Sequence, residues 1–122
     1  MIRFIVVAVT FIGFLIFGFP LLAAQNSLGK KEPHQRDLES LKIIQTMFLF
    51  ILRVSGVKVT VRGLENIPKD SAVLYVGNHR SYFDILVGYT TVPGLMGFVA
   101  KKEMLRYPLL SDWMGNVNCL FL

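Results

Sequence analysis

Residues 72–84 read Ala-Val-Leu-Tyr-Val-Gly-Asn-His-Arg-Ser-Tyr-Phe-Asp. The first five carry no charge, which predicts a short strand buried on both faces. Gly77 and Asn78 predict a tight turn. Ser81, followed three residues later by Asp84, predicts the start of a helix reaching about Tyr89, in the form of a capping box with Asp in place of Glu. Strand, turn and capped helix make an α/β unit, and such units present reactive groups at the carboxyl end of the strand. His79 falls in the turn and Asp84 in the first helical turn, so Asp84 can reach back to the imidazole. A carboxylate on one ring nitrogen fixes the tautomer and leaves the other nitrogen free as a base. The spacing supplies a base and its orienter with no nucleophile beside them, since Ser81 is better used as the cap. That suits proton removal from a substrate hydroxyl. Spacing alone reads equally well with Asp84 as a helix cap and His79 as an ordinary turn residue.

Around this unit the pattern predicts the rest of an α/β domain over residues 56–122. Gly56 ends the helix before it. Val57, Val59 and Val61 alternate with Lys58, Thr60 and Arg62, as in a strand with one wet face. Gly63 to Pro68 forms a turn and Val92 to Gly97 a loop. Phe98 to Ala100 predicts a short strand, Lys101-Lys102-Glu103 a helix start, and Val117 to Leu122 a further strand.

Residues 1–55 have a different character. From Phe4 to Ala24 there are 21 residues without a charge, enough at about 1.5 Å per residue to cross a bilayer core of about 30 Å. This predicts an uncleaved transmembrane helix over 4–24. The alternative is a cleaved signal peptide with Arg3 before the apolar run and Ala23 and Ala24 at its end. The run exceeds the usual about 7–15 residues, and Leu22 fits the small-residue cleavage pattern poorly. Lys30, Lys31, Arg36 and Lys42 follow the segment while Arg3 precedes it, which predicts a cell-membrane protein with its C-terminal side in the cytoplasm. Gln25 to Asp37 reads as a linker. Leu38 to Val54 reads as an interfacial helix, apolar at 38, 41, 44, 48, 51 and 52, with a buried core helix as the alternative.

Charge supports a lipid surface and argues against nucleic acid. Residues 1–62 hold eight Lys/Arg and three Asp/Glu, whereas 63–122 hold five of each. The basic excess therefore borders the apolar segment and suits anionic head groups; no basic stripe is interleaved with aromatics on the folded part. Cys119 is the single cysteine, and His34 and His79 are far apart, so the sequence offers neither a disulfide framework nor a metal motif, and no cofactor is expected.

The run Asn78-His79-x-Ser81-x-x-Asp84 after an apolar strand resembles the first motif of the 1-acylglycerol-3-phosphate acyltransferase family. The stretch Val59 to Pro68 is similar to that family's lead-in strand and turn. Phe98 to Leu105, with Pro108 and Trp113-Met-Gly115, is similar to the stretch before its second motif. The resemblance covers about residues 40–122. It implies a glycerolipid-acyltransferase α/β domain behind a membrane helix pair, making phosphatidate in phospholipid biosynthesis. His79 would deprotonate the sn-2 hydroxyl of a lysophosphatidate, which attacks the thioester of acyl-CoA or acyl-carrier protein, and Asp84 would steady the imidazolium. By analogy Lys101, and more weakly Arg80, would hold the substrate phosphate.

In the family the strand that matches Val117 to Leu122 runs on into an arginine-containing second motif, followed by a Glu-Gly-Thr motif and a Pro-containing fourth motif. The sequence ends at Asn118-Cys-Leu-Phe-Leu122 without them. The expectation is therefore a half domain with little activity alone. One rival reading is an inactive membrane-anchored remnant that binds lipid or a partner. A second is a thioester hydrolase, against which stands the lack of a Gly-x-Ser-x-Gly elbow.

Overall fold

Pro20 produces the first departure from expectation. It has no N–H for the Ile16 carbonyl, and its ring crowds that carbonyl. In the computed structural model, which describes all residues 1–122, the uncharged segment accordingly breaks at Gly18 into α1 (Ile2–Phe17) and α2 (Phe19–Gly29), bent by 52°. The single span over 4–24 is thus corrected to a broken pair. No single helix is long and apolar enough to cross a membrane, while the bent pair together meets that test by length and composition. The expected linker 25–37 is largely helical, with only residues 30–32 between α2 and α3 (Pro33–Ser55). Pro33 takes the first helical position, where its missing N–H breaks no helical bond.

Helix α3 runs back antiparallel along α1 and α2. Arg3 reaches the Ser55 carbonyl at one end, and Gln25 donates to Glu39 near the other. Its buried face is Leu41, Ile44, Met47, Phe48, Ile51 and Leu52, the 3.6-residue stripe expected from sequence. This face is buried against the rest of the protein, while Leu49 and Phe50 of the same helix are exposed. Each side chain of the stripe, fully buried, adds about 1.5–3 kcal/mol. Helices α4 (Phe83–Thr91) and α5 (Pro108–Asn116) cover this stripe, with Tyr89 and Trp113 among its most buried partners. Phe14 of α1 packs on Trp113 with ring centroids 5.2 Å apart, and Asn116 meets Asn26 of α2.

Gly56 closes α3 with φ +72°. Its N–H bonds the Arg53 carbonyl and the Val57 N–H bonds the Leu52 carbonyl, the paired bonds of a Schellman stop. The Arg3 guanidinium fills the space that a side chain at Gly56 would enter. A Gly56→Ala variant combines left-handed strain of about 1–2 kcal/mol with displacement of Arg3, so chemical denaturation should show a loss of at least that size.

The α/β expectation holds only in reduced form. The fold is mostly helical, with one two-stranded parallel sheet in which β1 (Val99–Ala100) pairs with β2 (Leu120–Phe121), Val99 opposite Leu120. α5 lies in the crossover between them, together with the 3-10 turn Lys102–Arg106 that replaces the expected helix start at Lys101. The expected strands 57–61 and 72–76 do not form. Residues 68–80 make no backbone–backbone hydrogen bonds, and Leu74 and Val76 are each 87% exposed. An apolar run becomes a buried strand only between flanking strands, and β1 pairs with β2 alone.

Candidate active site

The turn before α4 folds around one carboxylate oxygen. Asp84 Oδ2 accepts hydrogen bonds from the Arg80 amide at 2.7 Å, the Ser81 amide at 2.9 Å and His79 Nδ1 at 3.0 Å. The Ser81 hydroxyl accepts from the Phe83 amide at 3.2 Å. Half of a capping box is present, with Asp84 serving the Ser81 N–H. The two readings of Asp84, cap and histidine partner, are thus met by the same oxygen. Free helix-start amides draw the carboxylate in, and the carboxylate then anchors the imidazole.

The Ser81 and Arg80 amides, and then His79, hold the Asp84 carboxyl below its ordinary range. A carboxylate depressed on folding contributes stability above its unfolded value and loses that contribution as pH falls through the folded value. The contribution of this carboxylate is therefore fully present at neutral pH and is lost only as pH falls through the lowered value. Carbon-13 titration should place the Asp84 midpoint below the ordinary value of about 3.9; a midpoint at or above it would contradict the amide cradle. With Nδ1 donating to Asp84, the tautomer assigned by that bond leaves Nε2 as the acceptor. The side chains of His79 and Asp84 are 57% and 46% exposed, so their pairing adds little to stability.

His79 lies where two concave surfaces meet. One is an apolar cavity of about 730 Å³ walled by α1, α3, α4 and α5, with Phe11, Phe48, Tyr82 and Trp113 among its residues. The other is a more polar groove of about 1010 Å³ between residues 71–79 and the loop 92–97. Both are lined by His79, Phe98 and Val99. Deep beside the first, the Tyr89 hydroxyl donates to the Val117 carbonyl at 3.1 Å and lies 3.2 Å from Cys119 Sγ. Burial, then the bond to Cys119, pushes that phenol up, so it stays neutral.

The sequence-predicted residues divide in three ways. His79 and Asp84 are brought together. Lys101 shares the apolar cavity's wall with His79 and is the sole Lys, Arg, Asp or Glu on it. Arg80 lines neither surface, and its backbone amide bonds Asp84. Sequence reasoning missed Lys69, the one Lys or Arg in the polar groove, and gave no role to Asn78, which lines the same groove. Lys69 sits ten positions before His79 with no periodic relation to it, so its approach depends on the extended path of 68–78.

An imidazole held by a carboxylate thus borders an apolar cavity. Residues 58–122 match the family model described as Acyltransferase, and the chain belongs to that family. It is similar to the human protein named 1-acyl-sn-glycerol-3-phosphate acyltransferase alpha, at 36% identity over 83 residues, covering 68% of this chain and 27% of the relative. It is also similar to a probable 1-acyl-sn-glycerol-3-phosphate acyltransferase of Mycoplasma pneumoniae, at 34% over 107 residues, 84% of this chain and 39% of the relative. A third relative, the 1-acyl-sn-glycerol-3-phosphate acyltransferase of Borreliella burgdorferi, is 38% identical over 70 residues, 57% of this chain and 28% of the relative. The chain thus spans about a quarter to two fifths of the length of these relatives. No solved structure matches it.

Proposed function

We propose that the protein transfers an acyl group from acyl-CoA or acyl-carrier protein to the sn-2 hydroxyl of 1-acylglycerol-3-phosphate, giving phosphatidate. The observation that carries this reading is the Asp84-held His79 on the wall shared by an apolar cavity and a polar groove. The names of the relatives support the choice of acceptor. His79 Nε2 takes the hydroxyl proton as the oxygen attacks the thioester carbonyl. The tetrahedral intermediate then expels the thiolate, which recovers that proton from the imidazolium. Asp84 steadies the positive charge between the two steps. The apolar cavity takes an acyl chain, and Lys101 on its wall meets the acceptor phosphate as a point charge. Arg80, exposed beside His79, is the weaker second phosphate contact.

The same proposal seats the protein on the cytoplasmic face of the cell membrane. Ile5, Val9, Ile12, Ile16 and Phe17 of α1 and Phe19 of α2 are exposed, while Val7, Phe11 and Phe14 wall the cavity. The exposed face suits insertion among acyl chains, and Lys30 and Lys31 in the following turn suit anionic head groups. Because Arg3, Phe14 and Asn26 all touch the remainder of the protein, a pair lying in the membrane plane fits better than an upright span.

The test is product analysis with the full-length protein in vesicles, given labelled acyl-CoA and lysophosphatidate. Labelled phosphatidate is the expected product. Labelled free fatty acid formed instead would favour the hydrolase reading, and binding of lysophosphatidate without turnover would favour the inactive remnant.

A further inference from the structure

Helix α4 carries His79. Residues 68–80 make no backbone–backbone hydrogen bonds, so the imidazole is placed from its other side, by the Asp84 cradle at the start of α4. The cavity that His79 borders is also walled by Phe98, Val99, Ala100 and Lys101, in and beside β1. Outside the turn that it carries, every hydrogen bond tying α4 to another part of the fold passes through one residue, Tyr89. Gln45 Nε2 of α3 donates to the Tyr89 carbonyl at 2.8 Å. The Tyr89 hydroxyl donates to the Val117 carbonyl at 3.1 Å and lies 3.2 Å from Cys119 Sγ, on the path from α5 to β2. Thr90 and Thr91, by contrast, bond carbonyls of their own helix. The Tyr89 ring, 3% exposed, packs on Phe48 of α3 and on Phe98, with centroids 6.0 and 5.1 Å away.

We propose that Tyr89 is a positioning residue for the reaction: its hydroxyl fixes α4, and with it His79, against the β1 wall that carries Lys101. This rests on the acyl-transfer reading above. A phenylalanine would fill the same space and spare the desolvation of a hydroxyl. What the hydroxyl adds is direction. Apolar packing is non-directional, so a helix of nine residues held by it alone can roll or slide. A hydrogen bond confines its partners in both distance and angle. Tyr89 stands five residues after Asp84, about 7.5 Å along the axis at about 1.5 Å per residue. A roll of α4 on its packing surface would therefore carry the Asp84 cradle and the imidazole away from the cavity wall.

The test is Tyr89→Phe in the full-length protein, which keeps the ring and the cavity and removes only the hydroxyl. A misplacement of about 1 Å costs up to about 10²-fold, so kcat for phosphatidate formation should fall about tenfold, with KM for either substrate within about twofold of wild type. In a His79→Ala background the same change should leave the residual rate as it is, because a residue that acts through the imidazole has nothing left to place. By NMR the imidazole signals of His79 should shift in Tyr89→Phe, while those of His34, at the start of α3, stay in place. An unchanged kcat overturns the proposal. So does an equal loss in both backgrounds, which would make Tyr89 a general support of the fold, or a rise in KM alone, which would make it a wall for the acyl chain. Wild-type protein that transfers no acyl group sinks the acyl-transfer reading; shifted His79 signals would then still uphold the placement, and unmoved signals would sink it too.

Discussion

His79→Ala should lower the rate of acyl transfer by about 10²–10⁴-fold, the usual contribution of a positioned general base. The loss should fall on kcat with little change in KM for lysophosphatidate, because the imidazole acts on the proton in flight and the apolar cavity supplies most of the binding surface. The melting temperature should hardly move. His79 is more than half exposed, its bond to Asp84 is open to water, and the two amides that complete the Asp84 cradle stay in place. Loss of activity with folding intact would mark a chemical role. Near-normal kcat in the alanine variant would remove His79 as the base, whatever its geometry.

Asp84→Asn should cost about 10²–10⁴-fold in kcat as well, by a different route. The amide keeps the size of the side chain but loses its charge, and its nitrogen cannot accept from the ring. Either the amide oxygen turns to the helix-start amides or it keeps the imidazole, and in both cases a developing imidazolium loses its counter-charge. Replacing the carboxylate of a Ser-His-Asp triad by its amide costs on the order of 10⁴-fold. Unlike the change at His79, this one should also lower the melting temperature, since Asp84 holds the Arg80 and Ser81 amides at the start of α4. A variant that melts earlier but turns over normally would reduce Asp84 to a helix cap.

Local chemistry is what the sequence makes legible. The position of His79 and Asp84 around a helix start follows from residues three to five apart, and the fold keeps it. The buried stripe of α3 follows from 3.6-residue spacing, and Leu41, Ile44, Phe48, Ile51 and Leu52 are buried. The partners of that stripe are not local: they come from α4 and α5, far along the chain. Residues 72–76 show the same limit more sharply. Their composition is that of a buried strand, yet a strand exists only through its neighbours, and here the run is exposed. Pro20 is visible in the sequence, but a proline tolerated in a lipid-embedded helix and a proline that ends a helix look alike there. Lys69 enters the groove by a chain path with no sequence signature. Lys101 is singled out by family resemblance, and it lies on the cavity wall with His79.

The most direct test of the oriented base is a double-mutant cycle on the full-length protein, with single-turnover transfer rates for wild type, His79→Ala, Asp84→Asn and the double variant. Residues that act as one unit are grossly non-additive. If Asp84 acts through His79, the double variant should be no slower than His79→Ala alone. If the two losses multiply, Asp84 contributes independently of the imidazole, and His79 is not a base oriented by Asp84.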